Sequence, residues 1–285
     1  MDKTKFNILK RRSDTHKGDY GHILIVAGAA GMTGAAYLAC EAAMVSGAGL
    51  VTLAIPKSLN SIMAVKLVEV MTLTLPETRH QSLSRGAYNR IMRFCLKASC
   101  VLIGPGVSRD EDTQYLMRRL IKDIKAAMVI DADAINALAG HLSCLAKAGG
   151  EVIITPHPGE MAGLLNSNNL CVNRNKKNLA KKFATEYNVT TVLKGYGTIV
   201  ASPKGEVFRN NTGNPGMASA GCGDVLSGII SALLASGMPA FKAARLGVYV
   251  HGLAGDLAAK EIGEISLRAR DIIRYLPQAF KKIYG

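Results

Sequence analysis

The chain contains no tryptophan and only 6 phenylalanines in 285 residues, so its 48% hydrophobic content must build a core from alanine and the branched aliphatics. No apolar run approaches the ~20 residues that a membrane-spanning helix requires. The opening Met1-Asp2-Lys3-Thr4-Lys5-Phe6 is charged, with no apolar segment of signal-peptide length behind it. Both absences predict a cytoplasmic protein with no membrane partner. The six cysteines (Cys40, Cys95, Cys100, Cys144, Cys171, Cys222) include no C-x-x-C pair, which argues against a zinc site and fits reduced thiols. No G-x-x-x-x-G-K-[ST] occurs, which closes the P-loop route to a nucleotide. Gly28, Gly31 and Gly34 read G-x-x-G-x-x-G, not the G-x-G-x-x-G of a dinucleotide fingerprint, and no acidic residue lies between Glu41 and Glu69 to take a ribose hydroxyl. Acidic residues are the minority charge: 35 Lys and Arg against 21 Asp and Glu leave a net +14, which suits an anionic partner. The basic residues are scattered (Lys10-Arg11-Arg12, Arg118-Arg119, Lys281-Lys282) and are not interleaved with aromatics, so nucleic acid is not the expected one.

What is present is an alternation of short apolar runs and amphipathic segments. His22 to Ala27, Leu50 to Ile55, Cys100 to Ile103, Met128 to Ile130, Glu151 to Thr155 and Thr190 to Leu193 read as buried strands, and Val68 to Leu75 is a further apolar run. Helices are expected over Ala35 to Ser46, Ser84 to Lys97, Asp112 to Lys125, Arg174 to Tyr187, Ala240 to Lys260 and Leu267 to Phe280. Ile199 to Ala201 and Val207 to Arg209 flank Pro203-Lys204-Gly205 as a hairpin. No linker, repeat or low-complexity segment interrupts the pattern, so residues 1–285 read as one α/β domain with residues 1–20 as a polar lead-in. The strands stop at turns rich in Gly, Pro, Asp or His. In parallel sheets functional groups collect at the carboxyl ends of strands, so these turns should share one crevice.

The chain is organised around Gly213 to Gly228, where four glycines and Pro215 precede one carboxylate, Asp224, and an unbroken helical pattern follows. Glycines there let the backbone approach a ligand, and the free N–H groups of the first helical turn carry the positive end of the helix dipole. Such a place holds phosphate. Asp224 is then either a helix cap or a base facing an anion, and capping alone does not call for flanking glycines.

From Gly21 to Phe280 the chain resembles the nicotinamide-nucleotide-hydrate dehydratases, a branch of the ribokinase-like superfamily. Seven motifs in order carry the resemblance: Lys17 to His22, Ser46 to Val51, Gly104-Pro105-Gly106, Asp131 to Asn136, Thr155-Pro156-His157-Pro158-Gly159-Glu160, Lys194-Gly195-Tyr196-Gly197-Thr198, and the Gly213 to Gly228 loop. The resemblance implies a three-layer α/β/α sandwich with a mostly parallel central sheet, and an enzyme that repairs the S-form of hydrated NADH or NADPH at the expense of ADP or ATP. The ring 6-hydroxyl would be phosphorylated and phosphate then eliminated. It further implies Asp224 as base, and anion-binding amides from Gly221, Cys222 and Gly223. Lys194 to Thr198 would be the nucleotide-binding turn, and Ala43, Gly106 and His157 would contact the hydrated dinucleotide. Magnesium as cofactor and a homotetramer complete the family picture, and no fused epimerase domain is expected ahead of the first strand.

Several residues keep two readings. Ala43 is equally a helix-packing residue and Gly106 a turn glycine. Cys222 suits a small buried filler. Glu160 either meets magnesium-bound water or caps the next helix, and Asp133 and Asn136 divide likewise between site and cap. Two other function classes are also open: a small-molecule kinase on the same fold, acting on a thiamin-precursor or sugar alcohol, and a non-catalytic nucleotide-binding protein. A binding module has no use for the base, which counts against the last.

Overall fold

The computed structural model describes residues 13–284; the Lys10-Arg11-Arg12 cluster and the first part of the lead-in lie outside the described residues. In chain order, β1 (His22–Val26) turns into α1 (Thr33–Val45) and β2 (Leu50–Pro56), and α2 (Asn60–Lys66) precedes β3 (Met71–Leu75). Next come α3 (Tyr88–Cys95), β4 (Cys100–Ile103), α4 (Glu111–Asp123), β5 (Ala127–Ile130), α5 (Asp133–Asn136) and β6 (Val152–Ile154). Three helices, α6 (Pro158–Leu164), α7 (Asn169–Arg174) and α8 (Lys176–Tyr187), lead to β7 (Thr190–Leu193) and the hairpin β8 (Ile199–Ala201) and β9 (Val207–Arg209). The chain ends in α9 (Cys222–Ala235), α10 (Ala240–Ile262) and α11 (Ala269–Tyr284).

The strands form one nine-stranded sheet in the order β3-β2-β1-β4-β5-β6-β7-β8-β9. Pairing is parallel from β3 through β7 and antiparallel for the last two strands. Parallel strands covered on both faces are apolar throughout, and successive side chains alternate between faces. Ile23, Ile25 and Ala27 accordingly enter a core with α1, α9, α10 and α11, while Leu24 and Val26 enter a second core with α3, α4, α6 and α8. The result is the expected three-layer sandwich. Among the described residues no helix is long and apolar enough to cross a membrane.

α9 is unlike the other helices. Every residue from Val225 to Ala235 is buried, so it has no solvent face. It packs on α1, α10 and α11 and on the inner strands β1, β4 and β5. Its N-terminus meets the carboxyl ends of the central strands.

Candidate active site

Lys194 leaves the end of β7 with its backbone N–H bonded to the Pro156 carbonyl at 2.9 Å, which draws the β6 and β7 ends together. Its ammonium Nζ stands 2.9 Å from Asp131 Oδ1 and 3.9 Å from Glu160 Oε2. Asp131, at the end of β5, is only 1% exposed and also accepts a hydrogen bond from Thr155 Oγ1 at 2.7 Å. Burial alone would lower the Lys194 pKa, but the Asp131 and Glu160 carboxylates, with Asp224 behind them, hold it above the ordinary lysine value. The lysine expected on a nucleotide-binding turn is therefore a permanent buried cation.

That cation abuts the start of α9: a Cβ on Gly223 would lie 3.4 Å from Lys194 Nζ. Gly221 is the N-cap in a left-handed conformation, φ +90°, and a Cβ there would come within 2.4 Å of Leu38 Cδ1. Glycine is required on both counts. The first bond of the helical ladder runs from the Val225 N–H to the Gly221 carbonyl at 3.1 Å, so the Gly223 and Asp224 amides precede the ladder at its positive end. Cys222 is a buried filler: its Sγ is 3.3 Å from Ser219 Oγ, and burial raises its thiol pKa.

Asp224, in the first turn of α9, is half-buried. Burial pushes its pKa up to about 7; Asp131 adds to the rise, Lys194 opposes it, and Asp133 and Glu160 contribute further in the same direction. A carboxylate tuned to neutrality is suited to accepting and returning a proton.

His157 and Glu160 cap α6 reciprocally. His157 Nδ1 accepts from the Gly159 and Glu160 amides at 2.9 and 3.1 Å, and Glu160 Oε2 accepts from the His157 amide at 2.7 Å. The His157 ring thus caps the helix and also borders the cavity described next. Burial, then Lys194, lowers the His157 pKa. Glu160 is pushed up to about 7, chiefly by burial, with Lys194 opposing and Asp131 reinforcing. Asp133 Oδ2 accepts from the Ser108 amide at 3.0 Å and Asn136 Nδ2 lies 3.4 Å from Asp133 Oδ1, while α5 itself has no side-chain cap bond. Among the described residues no group of three or more His, Cys, Asp and Glu is arranged to hold a metal. The Asp131 and Glu160 carboxylates are engaged by Lys194, Thr155 and a backbone amide, so that Glu160 would meet a magnesium ion only through water.

A cavity of about 1050 Å³ opens beside this cluster. It is lined by Lys194 to Thr198, by Cys222 and Gly223 at the start of α9, and by Val248, His251 and Gly252 of α10. The turn is braced from both directions: Thr198 Oγ1 donates to the Gly195 carbonyl at 2.9 Å, and Lys176 Nζ to the Tyr196 carbonyl at 3.0 Å. Tyr196 itself projects free, 96% exposed.

The structure thus brings Lys194, Gly195, Tyr196, Gly197, Thr198, Cys222, Gly223 and His157 to one cavity; Asp224 follows Gly223 in the chain, and Gly221, the N-cap of α9, is not among the lining residues. It does not bring Ala43 or Gly106 there. Ala43, near the end of α1, is wholly enclosed in the core, and the packing reading is what the structure displays for it. Gly106 is a buried turn glycine at φ +59°, where a Cβ would stand 2.9 Å from Met32 Cβ. Asp131, Lys176, Arg209 and His251 were missed by sequence reasoning. Asp131 alone left a signal, in the strand-end Asp131-Ala132-Asp133. His251 is pushed down to about 4 by burial and is neutral at the cavity wall.

A family model described as NAD(P)H-hydrate dehydratase matches residues 23–278. The chain is 43% identical over 274 residues to a bifunctional NAD(P)H-hydrate repair enzyme of Moorella thermoacetica, covering 96% of this chain and 52% of the relative. It thus spans about half the length of the bifunctional relatives it matches. An ADP-dependent (S)-NAD(P)H-hydrate dehydratase of Xanthomonas campestris is 35% identical over 263 residues, 92% of this chain and 88% of the relative. Among solved structures, the ADP/ATP-dependent NAD(P)H-hydrate dehydratase of Bacillus subtilis co-crystallised with ATP and Mg2+ superposes with a TM-score of 0.85 at 28% identity, over 97% of this chain and 94% of that one. The fold is the ribokinase-like one.

Proposed function

Because the chain belongs to the NAD(P)H-hydrate dehydratase family, we propose that it dehydrates the S-form of hydrated NADH or NADPH with ADP or ATP as phosphoryl donor. The observation that carries the reading is Asp224: a carboxyl tuned to about 7, at the amide-rich start of α9, beside the buried Lys194 ammonium and at the end of a nucleotide-sized cavity.

The donor lies in the cavity, with Lys194 to Thr198 along it and its terminal phosphoryl group at the Cys222 and Gly223 end. Fixed amide dipoles and Lys194 stabilise the charge that spreads over the phosphoryl oxygens in transfer. Asp224 accepts the proton of the ring 6-hydroxyl as that oxygen bonds to phosphorus and the bond to the leaving nucleotide breaks, releasing AMP from ADP, or ADP from ATP. The phosphate then leaves C6 with the C6–O electron pair and C5 gives up a proton, which restores the ring double bond. Gly106 and His157 belong on the dinucleotide side in this reading, and Ala43 supports that side through packing. Magnesium, when bound, would neutralise phosphate charge, with Glu160 reaching it through water. Support for magnesium is the ATP and Mg2+ co-crystal of the Bacillus subtilis relative. A homotetramer and a cytoplasmic location rest on family membership alone.

The test is to incubate the chain with chemically hydrated NADH, magnesium and either ADP or ATP, and to follow the return of reduced-nicotinamide absorbance. Recovery matched by equal phosphate release is expected. A stable phosphorylated product without recovered absorbance would fit a small-molecule kinase instead.

Two further results are expected of the same assay. The kcat/KM should rise with pH through about 7, because Asp224 must lose its proton before it can act. An acid limb near pH 4 would mean that an ordinary carboxylate, or none, is the base. His157→Asn keeps a capping side chain but removes the ring, so it should raise KM for the hydrated cofactor several-fold more than KM for the donor. Equal changes in both would assign His157 to the integrity of α6 alone.

A further inference from the structure

Between β9 and α9 the chain runs from residue 210 to 221 without a strand partner, and its one regular piece is the 3-10 turn Pro215–Met217. This stretch nevertheless forms a wall of the cavity. A segment with neither ladder nor helix must have its backbone groups satisfied and its shape held by other means.

It is held by α10. Asn210 Nδ2 donates to the Val248 carbonyl at 3.1 Å, and Thr212 Oγ1 to the Tyr249 carbonyl at 3.0 Å. About two turns further along the helix, Asp256 Oδ2 accepts from the Gly213 amide at 2.9 Å and its Oδ1 accepts from Asn214 Nδ2 at 3.0 Å. Asn214 passes the constraint on, since its Oδ1 accepts from the Gly216 amide at 3.1 Å at the start of the 3-10 turn. The loop can lie this close because positions 252 and 255 lack side chains. A Cβ on Gly252 would stand 2.3 Å from Thr212 Oγ1, and one on Gly255 2.3 Å from Met217 Sδ. Of these ties to α10, only those to Asp256 involve an ionised group, and such bonds are roughly twice as strong as neutral ones.

We propose that Asp256 is a positioning residue for the donor nucleotide. Through Gly213 and Asn214 it fixes the cavity wall and the approach of the loop to the Cys222 and Gly223 amides, without touching the reacting atoms. The identity of the nucleotide rests on the dehydratase reading; the clamp itself rests on the bonds above.

A reciprocal exchange tests it. Asp256→Asn puts an amide donor against a site that offers only donors, and Asn214→Asp sets two carboxylates face to face. Combining the two restores one acceptor and one donor with the charge moved onto the loop. Each single variant is expected to bind AMP about 10- to 100-fold more weakly by calorimetry, and to raise KM for ADP more than it lowers kcat. The double variant should return to within about threefold of wild type. Wild-type AMP affinity in Asp256→Asn would overturn the proposal, and so would a double variant as weak as the singles. A measurement without substitutions is amide exchange at Gly213, which should be slow in the unmodified chain; rapid exchange would also overturn it. Failure of the dehydratase reading would be seen separately, as a wild-type chain that binds AMP and does not restore hydrated NADH.

Discussion

Asp224→Asn is expected to lower turnover at least about 100-fold while the chain stays folded and still binds AMP, because general-base assistance is worth ~10² to 10⁴ in rate. Asparagine keeps the size and the capping ability of aspartate but cannot take the hydroxyl proton. Stability should move the other way. The folded Asp224 carboxyl titrates at about 7 against an ordinary value of 3.8, so between those limits the native state holds a proton that the unfolded chain has released. Native stability therefore falls as pH rises through that window, and the loss is complete above about 7. Asparagine removes this contribution. The Tm of the variant relative to wild type should accordingly climb between about pH 4 and 7, the pattern of a site that trades stability for chemistry. Turnover close to wild type would reduce Asp224 to a cap and leave the proposed phosphoryl transfer without its base.

The second large effect is expected at Lys194. Lys194→Met retains much of the side-chain volume and removes the charge that compensates Asp131, Glu160 and Asp224. Breaking a buried pair from one side typically costs about 3–5 kcal/mol, since the remaining charge is left without a partner. The cost should be smaller at pH 5.5 than at pH 8 in urea titrations, because the orphaned carboxylates can escape by taking up protons at the lower pH. Asp131→Asn added to Lys194→Met should recover much of the loss while activity stays low. A single variant as stable as wild type at pH 8 would show that Lys194 does not compensate the cluster.

The elements legible in the sequence were those with enough residues to display a period. β4, β7, β8 and β9 fall on the runs read for them, because each is a short apolar segment bounded by turn residues. Helices α2, α5, α6 and α7 span 7, 4, 7 and 6 residues, too few for helical periodicity to stand out in the sequence. The basic helix expected from Arg174 is interrupted at Asn175, where the cap of α8 is also the end of α7. β3 begins at Met71, three residues into the apolar run that starts at Val68, and Val68 is 85% exposed. At the site, the glycine loop and Asp224 were legible because their chemistry is written in neighbouring residues. The pairing of Lys194 with Asp131 was not, since those residues are 63 positions apart and meet only when β5 and β7 are placed in one sheet. The same holds for Asp256 and Gly213, joined across 43 positions.

The burial of α9 on every side bears on where this molecule can move. Amides from Val225 to Ala235 can reach solvent only when the layers packed around them separate, so they should be among the last to exchange in deuterium oxide. The proposed base rides on this rigid element. Any closure around a nucleotide then falls to the parts of the cavity wall outside that helix, the Gly195 to Thr198 turn and the β8–β9 hairpin at the edge of the sheet. In a denaturant series, activity lost ahead of global unfolding would report loosening of that rim, whereas displacement of Asp224 itself would coincide with collapse of the fold.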